Sequence, residues 1–132
     1  MKNKYNFSFF VKEEELDNLN HVNNINYVKW VQKASEKHWN YLTNNAFENS
    51  YVWVVLRHEI DYLASAILGD KIEVTTWVGD SYGVKSERFV EIFRNDTVIA
   101  KAKTIWCLLD KEDMKPIRIP KELLKILNEV KR

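Results

Sequence analysis

Residues 24–44 read NINYVKWVQKASEKHWNYLTN, and this segment gives the clearest indication of the protein's architecture. Apolar and aromatic residues recur in it at steps of three and four, which is the spacing of one face of an α-helix. That face consists of Tyr27, Trp30, Val31, Ala34, His38, Tyr41 and Leu42. At 1.5 Å per residue the helix is roughly 30 Å long, the width of a small domain. We therefore expect the rest of the chain to wrap around it.

The segments on either side of this helix alternate in polarity with a period of two, which is typical of half-buried β-strands. One strand is predicted before the helix, over residues 5–11, and four after it, over residues 51–62, 71–78, 84–94 and 97–109. Residues 79–83 are predicted to form a turn, and Asn95-Asp96 a tight hairpin connection. Pro120 opens a short C-terminal helix with an apolar face of Leu123, Ile126, Leu127 and Val130. The sequence therefore predicts an α+β protein in which a five-stranded antiparallel sheet surrounds one long helix.

The length, charge and cysteine count of the chain exclude several kinds of function. The chain has 132 residues, enough for one domain, which we expect to span residues 1–132. Its 20 Lys+Arg and 19 Asp+Glu give a formal net charge of +1, which argues against a nucleic-acid or acidic-membrane partner. No run approaches the roughly 18 apolar residues of a membrane span. The single cysteine, Cys107, lies among apolar strand residues, so we expect its thiol to be buried. Because it can form neither an internal disulfide nor a thiolate metal cage, we expect a cytoplasmic location.

The polar loop before the helix carries the candidate chemistry. Asp17 stands seven residues before Asn24, so its carboxylate is expected near the helix N-terminus, where the first N–H groups lack intrahelical partners. Such donors can hold a carbonyl oxygen, and one of them is worth about 10²–10³ in rate. The structural alternatives are that Asp17 bonds its own loop, that Asn23 or Asn24 caps the helix, and that His21 is a hydrogen-bonded structural histidine. A metal held by Asp17 and His21 is not expected, because no second ligand pair accompanies them.

The stretch from Asp17 to Tyr27, DNLNHVNNINY, resembles the signature of the hotdog-fold thioesterases of the 4-hydroxybenzoyl-CoA thioesterase and acyl-ACP thioesterase group. The similarity continues through residues 57–63, 68–72, 100–102 and 116–120, so it covers nearly the whole chain. It implies a single hotdog domain that hydrolyses an acyl-CoA or acyl-carrier-protein thioester without a cofactor. Two positions depart from the pattern: Asn20, where many members have Gly, and Leu19, where plant acyl-ACP enzymes have Asn.

The resemblance also implies roles for individual residues. Asp17 would act as general base or as nucleophile, and the backbone N–H of Asn24 would hold the thioester oxygen. His21 and the Asn23 side chain would orient the water or Asp17, and Tyr27 would face the site. Glu59 is a candidate supporting carboxylate, the alternative being an ion-paired strand residue beside Arg57.

The basic residues of the late strands and the edges of the sheet suggest the partners. Lys85 and Arg88 are candidates for contacting the phosphates of CoA or a phosphopantetheine arm, the alternative being solvated strand faces. A five-stranded sheet leaves exposed edges, so we expect a homodimer or a dimer of dimers with the active site between subunits. The rival functions are a dehydratase of the same fold and a non-catalytic acyl-CoA-binding or regulatory protein.

Overall fold

The computed structural model describes residues 4–128. The elements are β1 (Lys4–Phe10), a short 3-10 turn (Glu13–Glu15), α1 (Asn24–Thr43), β2 (Tyr51–Tyr62), β3 (Lys71–Tyr82), β4 (Lys85–Arg94), β5 (Thr97–Asp110) and α2 (Lys121–Asn128). The strands form one antiparallel sheet in the order β1-β3-β4-β5-β2. The predicted five-stranded antiparallel sheet around one long helix is confirmed. Val130, predicted on the face of the last helix, lies outside the described residues.

Helix α1 is flanked by an asparagine cap at each end, Asn23 and Asn44. The Asn23 side chain accepts a hydrogen bond from the Ile25 N–H at 3.1 Å and so caps the first turn. Asn44 adopts the left-handed conformation, with φ at 51°, which ends the helix. The predicted face is buried except at Tyr41, which is 53% exposed. That expectation was wrong because Tyr41 lies at the flank of the face, against the ring of Tyr5 at the sheet edge, 5.5 Å away.

The core fills the space between α1 and the concave face of the sheet. Alternate residues of β3 and β4 point inward, because successive side chains of a strand lie on opposite faces; they include Ile72, Val74, Val90 and Ile92, all fully buried. A second cluster under α2 contains Val78, Leu108, Ile119, Leu123 and Leu127. Cys107 is buried, as predicted.

Strand β3 is longer than the sequence predicts. It continues to Tyr82, so the turn expected over residues 79–83 is wrong and the chain reverses at Gly83 and Val84 instead. Gly79 lies inside the strand, where a Cβ would be 2.6 Å from Cε2 of Phe89. This glycine therefore serves a close approach between β3 and β4, next to a bulge between Val78 and Ser81.

Strand β2 lies at one edge of the sheet. It has 12 residues, which pair with β5 except at the bulge around Leu56, and its other side has no strand partner within residues 4–128. Leu56 and Tyr62 on this strand are 53% and 44% exposed. A long edge strand of this kind is a template for pairing with another chain.

No helix in the described part of the chain is long and apolar enough to span a bilayer.

Candidate active site

The loop before α1 is folded around the side chain of Asp17. The carboxylate oxygen Oδ1 accepts hydrogen bonds from the backbone N–H groups of Leu19, at 2.9 Å, and His21, at 3.1 Å. The Asp17 N–H donates to the His21 carbonyl at 2.7 Å. The other carboxylate oxygen, Oδ2, has no hydrogen-bond partner among residues 4–128. The loop therefore holds the carboxylate in place by one oxygen and leaves the second for another group.

Asn20 allows this loop to close. Its φ is +63°, in the left-handed region that glycine enters freely and that asparagine tolerates better than most other residues. The departure from the family's glycine at this position is therefore compatible with a glycine-like backbone. The Asn20 N–H donates to the Asp17 carbonyl at 3.1 Å, which completes the turn.

Substitutions at Asn20 test whether this backbone shape matters. We expect Asn20→Gly to leave the melting temperature and the position of Asp17 almost unchanged, because Gly adopts the same φ without strain. Asn20→Val should lower the free energy of unfolding by about 1–2 kcal/mol, because a β-branched residue is strained at positive φ. Thermal melts of the two variants measure the difference. Equal melting temperatures would show that the turn can take another conformation.

The start of α1 leaves one backbone donor uncommitted. Two of the preceding N–H groups are used: Val22 donates to the Ala66 carbonyl at 2.9 Å, and Asn23 to the Glu15 carbonyl at 2.9 Å. The Ile25 N–H donates to the side-chain oxygen of Asn23, which caps the helix. The Asn24 N–H has no acceptor among the described residues. It lies at the positive end of the helix dipole, so it is suited to bind a carbonyl oxygen that gains negative charge.

A network centred on Glu15 fixes the angle at which the loop enters the helix. Its carbonyl accepts from the side-chain amide of Asn26 at 2.9 Å, and its carboxylate oxygen Oε2 accepts from the indole N–H of Trp30 at 3.1 Å. The other carboxylate oxygen, Oε1, accepts from the Lys12 N–H at 2.9 Å. The position of Asn24 relative to Asp17 is therefore set by α1 side chains one and two turns along.

Asp17 and the helix start open into the same cleft, which has a volume of about 310 Å³. Its lining residues are Asp17, His21, Val22, Asn24, Tyr27, Tyr62, Leu63, Ala64 and Ser65. Four of the candidates from the sequence thus meet here. Asn23 is not among the lining residues; its side chain is the helix cap.

The far wall of the cleft, residues 62–65, was not predicted as part of the site. This segment follows β2 and is held by the Ile99 carbonyl, which accepts from the N–H groups of Leu63 at 2.8 Å and Ala64 at 3.2 Å. An isolated bridge between His21 and Ile67 joins it to the Asp17 loop. The proximity depends on pairing between distant strands, and no local sequence signal reports it.

Tyr27 forms the floor of the cleft. It is 2% exposed, and its ring packs edge-on against Tyr62, with 5.4 Å between centroids. Burial raises the pKa of the Tyr27 phenol above its usual value, so the hydroxyl stays protonated at neutral pH. It can donate a hydrogen bond but does not supply a negative charge.

The remaining candidates lie elsewhere. Glu59 forms an ion pair with Arg57 at 2.7 Å on the exposed outer face of β2, and it does not line the cleft. Lys85 is exposed, whereas Arg88 is 5% exposed and faces α1, so a solvated strand face is wrong for Arg88. Within residues 4–128, no three His, Cys, Asp or Glu side chains are grouped to hold a metal ion.

Comparisons with known proteins show which families this chain is similar to. A chloroplastic acyl-[acyl-carrier-protein] hydrolase of Cuphea viscosissima is 27% identical over 74 residues, which are 54% of this chain and 18% of that protein. The chain thus spans about a fifth of the length of the curated relatives it matches.

Solved structures share the fold over nearly the whole chain. A 1,4-dihydroxy-2-naphthoyl-CoA thioesterase from Synechocystis superposes with a TM-score of 0.78 at 17% identity, covering 95% of this chain and 96% of that one. A Staphylococcus aureus protein solved in complex with CoA gives 0.85 at 18% identity, covering 96% and 82%. This is the hotdog fold. The model of the thioesterase-like superfamily matches residues 11–127, and the chain belongs to that family.

Proposed function

We propose that this protein is an acyl thioesterase that hydrolyses an acyl-CoA or acyl-carrier-protein thioester to a free acid and a thiol. The observation that carries the proposal is the shared cleft, in which the free oxygen of Asp17 and the uncommitted N–H of Asn24 lie together. The family and the names of its solved members support the same chemistry.

The reaction needs two functions, and the cleft offers both. The Asn24 N–H, at the start of the helix, polarises the thioester carbonyl and stabilises the oxyanion of the tetrahedral intermediate. Asp17 either removes a proton from the attacking water or attacks the carbonyl itself to form an anhydride. The thiol leaves as a thiolate, because its pKa of about 8.5 makes strong general acid catalysis unnecessary. His21 orients the water or Asp17 from the mouth of the cleft.

We propose further that two copies pair through β2. The unpaired edge of this strand is long and exposed, and its charges are self-complementary. A two-fold axis near His58 places Arg57 of one copy opposite the partner's Glu59, and the reverse. The resulting contact extends the sheet across both copies and brings the end of β2, where Tyr62 lines the cleft, against the second subunit.

A single buried cysteine is consistent with assembly in the cytoplasm.

Reversing one charge of this pair tests the β2 interface. Arg57→Glu should weaken the dimer roughly tenfold or more, because it sets like charges opposite each other twice. The double variant Arg57→Glu/Glu59→Arg should restore assembly, since both attractive pairs are re-formed with opposite polarity. Analytical ultracentrifugation over a concentration series measures the dissociation constants. A dimer that is insensitive to Arg57→Glu would place the interface elsewhere.

A free-thiol release assay over aliphatic and aromatic acyl-CoA and acyl-carrier-protein substrates tests the activity. Turnover of at least one series is expected. Tight binding of acyl-CoA without thiol release would instead identify a non-catalytic acyl-CoA-binding protein.

A further inference from the structure

A second cavity of about 330 Å³ lies between the later half of α1 and the sheet. It is separate from the Asp17 cleft and shares no lining residue with it. Its walls are Ser35, Glu36, Trp39, Asn40, Asn45, Glu48, Tyr51, Val52, Trp53, Ser86, Arg88 and Trp106. Aromatic rings make up much of the surface, so the cavity is suited to an apolar chain. The cavity is also lined by a buried charged residue, Arg88.

Arg88 is a buried cation in this cavity. One nitrogen, Nη1, is bonded to His38 Nδ1 at 2.7 Å and donates to Thr76 Oγ1 at 3.1 Å. Burial lowers the pKa of Arg88 to about 10, which still leaves the guanidinium charged at neutral pH. The N–H groups on Nε and Nη2 have no acceptor among residues 4–128. No carboxylate within these residues forms an ion pair with Arg88, and the two acidic lining residues, Glu36 and Glu48, are exposed.

Two indole groups add further unused donors. The Nε1 atoms of Trp53 and Trp106 are buried and have no hydrogen-bond partner among the described residues. Both residues line the cavity beside Arg88. A buried donor without an acceptor is unfavourable, and a buried charge without a counter-ion more so, so native proteins seldom keep several together without a ligand. The free donors of Arg88 therefore reach the cavity without a protein acceptor there, whereas the two indole N–H groups lie inside its walls, below the accessible surface.

Pairing of two copies would connect this cavity to the Asp17 cleft. The two sites are lined by opposite ends of β2: Tyr62 contributes to the cleft, whereas Tyr51, Val52 and Trp53 contribute to the cavity. An antiparallel pairing of β2 with its copy places the end of one strand beside the start of the other. The two-fold axis near His58 brings Tyr62 close to the partner's Trp53. An acyl group whose carbonyl is bound in one subunit can then extend into the cavity of the second.

We propose that this cavity binds the distal end of the acyl group, and that this end carries a carboxylate; the inference rests on the proposed thioesterase function. A carboxylate supplies two acceptor oxygens to the open side of the guanidinium fork. It also neutralises Arg88. The methylene chain between the two ends packs on the aromatic walls. The substrate class is therefore the monothioester of a dicarboxylic acid.

Acyl-CoA pairs with equal numbers of carbon atoms test the proposal. Butyryl against succinyl, hexanoyl against adipoyl and octanoyl against suberoyl differ only in a methyl or carboxylate end. We expect the carboxylate-ended member of at least one pair to be preferred by roughly tenfold or more in kcat/KM, as for a charge-assisted hydrogen bond. Equal values, or a preference for the methyl end at every length, would overturn the proposal while leaving the thioesterase function intact.

Variants locate the preference. Arg88→Met, which keeps a long side chain, should abolish the ratio between the two members of the preferred pair. Arg88→Lys, which keeps the charge but not the planar fork, should lower the ratio several-fold and guards against misfolding of the Arg88→Met variant. Arg118→Met, at an exposed arginine outside both sites, should keep the ratio. A ratio that survives in both Arg88 variants would place the selectivity elsewhere.

A binding measurement separates this proposal from the catalytic one. Quenching of tryptophan fluorescence gives the affinity of each acyl-CoA whether or not it is cleaved. Roughly tenfold tighter binding of the carboxylate-ended member is expected. If no thiol is released from any substrate but this preference is present, the hydrolase proposal fails and the cavity assignment stands. If thiol is released without any preference in rate or affinity, the reverse holds.

Discussion

Asp17→Asn is expected to lower kcat for thioester hydrolysis by about 10²–10⁴-fold. The asparagine keeps a carbonyl oxygen that can accept from the Leu19 and His21 N–H groups, so the loop keeps its shape. The change is confined to the second oxygen, which becomes an amide nitrogen and can neither take a proton nor attack a carbonyl. KM should change little, because the substrate is bound mainly by other groups. Steady-state thiol release measures both constants.

Two further variants test whether the loss of rate is specific to Asp17. Asp80→Asn removes an exposed charge near the C-terminal end of β3, outside the Asp17 cleft, and should leave the rate unchanged. Glu59→Gln tests the other candidate carboxylate, which lies on the outer face of β2, paired with Arg57. A rate that is normal in Asp17→Asn but lost in Glu59→Gln would transfer the catalytic role to Glu59. Normal rates in both would remove carboxylate catalysis from the mechanism.

Ile72→Ala is expected to lower the free energy of unfolding by about 2–5 kcal/mol. Ile72 is fully buried where β3 packs under α1, so truncation leaves a cavity in the main core. For a chain of this size the loss corresponds to a decrease in melting temperature of roughly 8–20 °C. Leu68→Ala is the matched control, because Leu68 lies in the loop just before β3 and is 54% exposed. Its melting temperature should change by less than about 2 °C. Similar losses in both variants would mean that the core is not organised around α1.

The elements that were predicted correctly are those whose signals are local. The bounds of β2 match the prediction at both ends, and α1 begins at Asn24 as expected. The error at residues 79–83 came from taking Gly79 as a turn residue, although it is required by the ring of Phe89 on the neighbouring strand. A contact between strands cannot be deduced from the polarity pattern of either one.

The site divides in the same way. Asp17, His21 and Asn24 lie within eight positions of one another, and their meeting depends on one loop and one helix start. Residues 63–65 are held at the cleft by distant parts of the chain, since the Ile99 carbonyl accepts from Leu63 and Ala64 and Arg94 donates to the Ser65 carbonyl. Arg88 is different, because it shares the inward side of β4 with Ser86, Val90 and Ile92. The alternation of inward and outward residues along β4 indicates a buried position for Arg88, whereas its charge is typical of an exposed one.

The position of β2 in the sheet also determines when the protein can become active during synthesis. Its only strand neighbour within the described residues is β5, and Tyr51 pairs with Asp110, so the partner emerges from the ribosome long after β2 itself. Contacts between such distant segments form slowly, because a long loop must close first. Until then β2 is exposed on both edges, which makes the nascent chain prone to aggregation. The part of the cleft wall that β2 supplies, at Tyr62, therefore forms only after β5 has been synthesised.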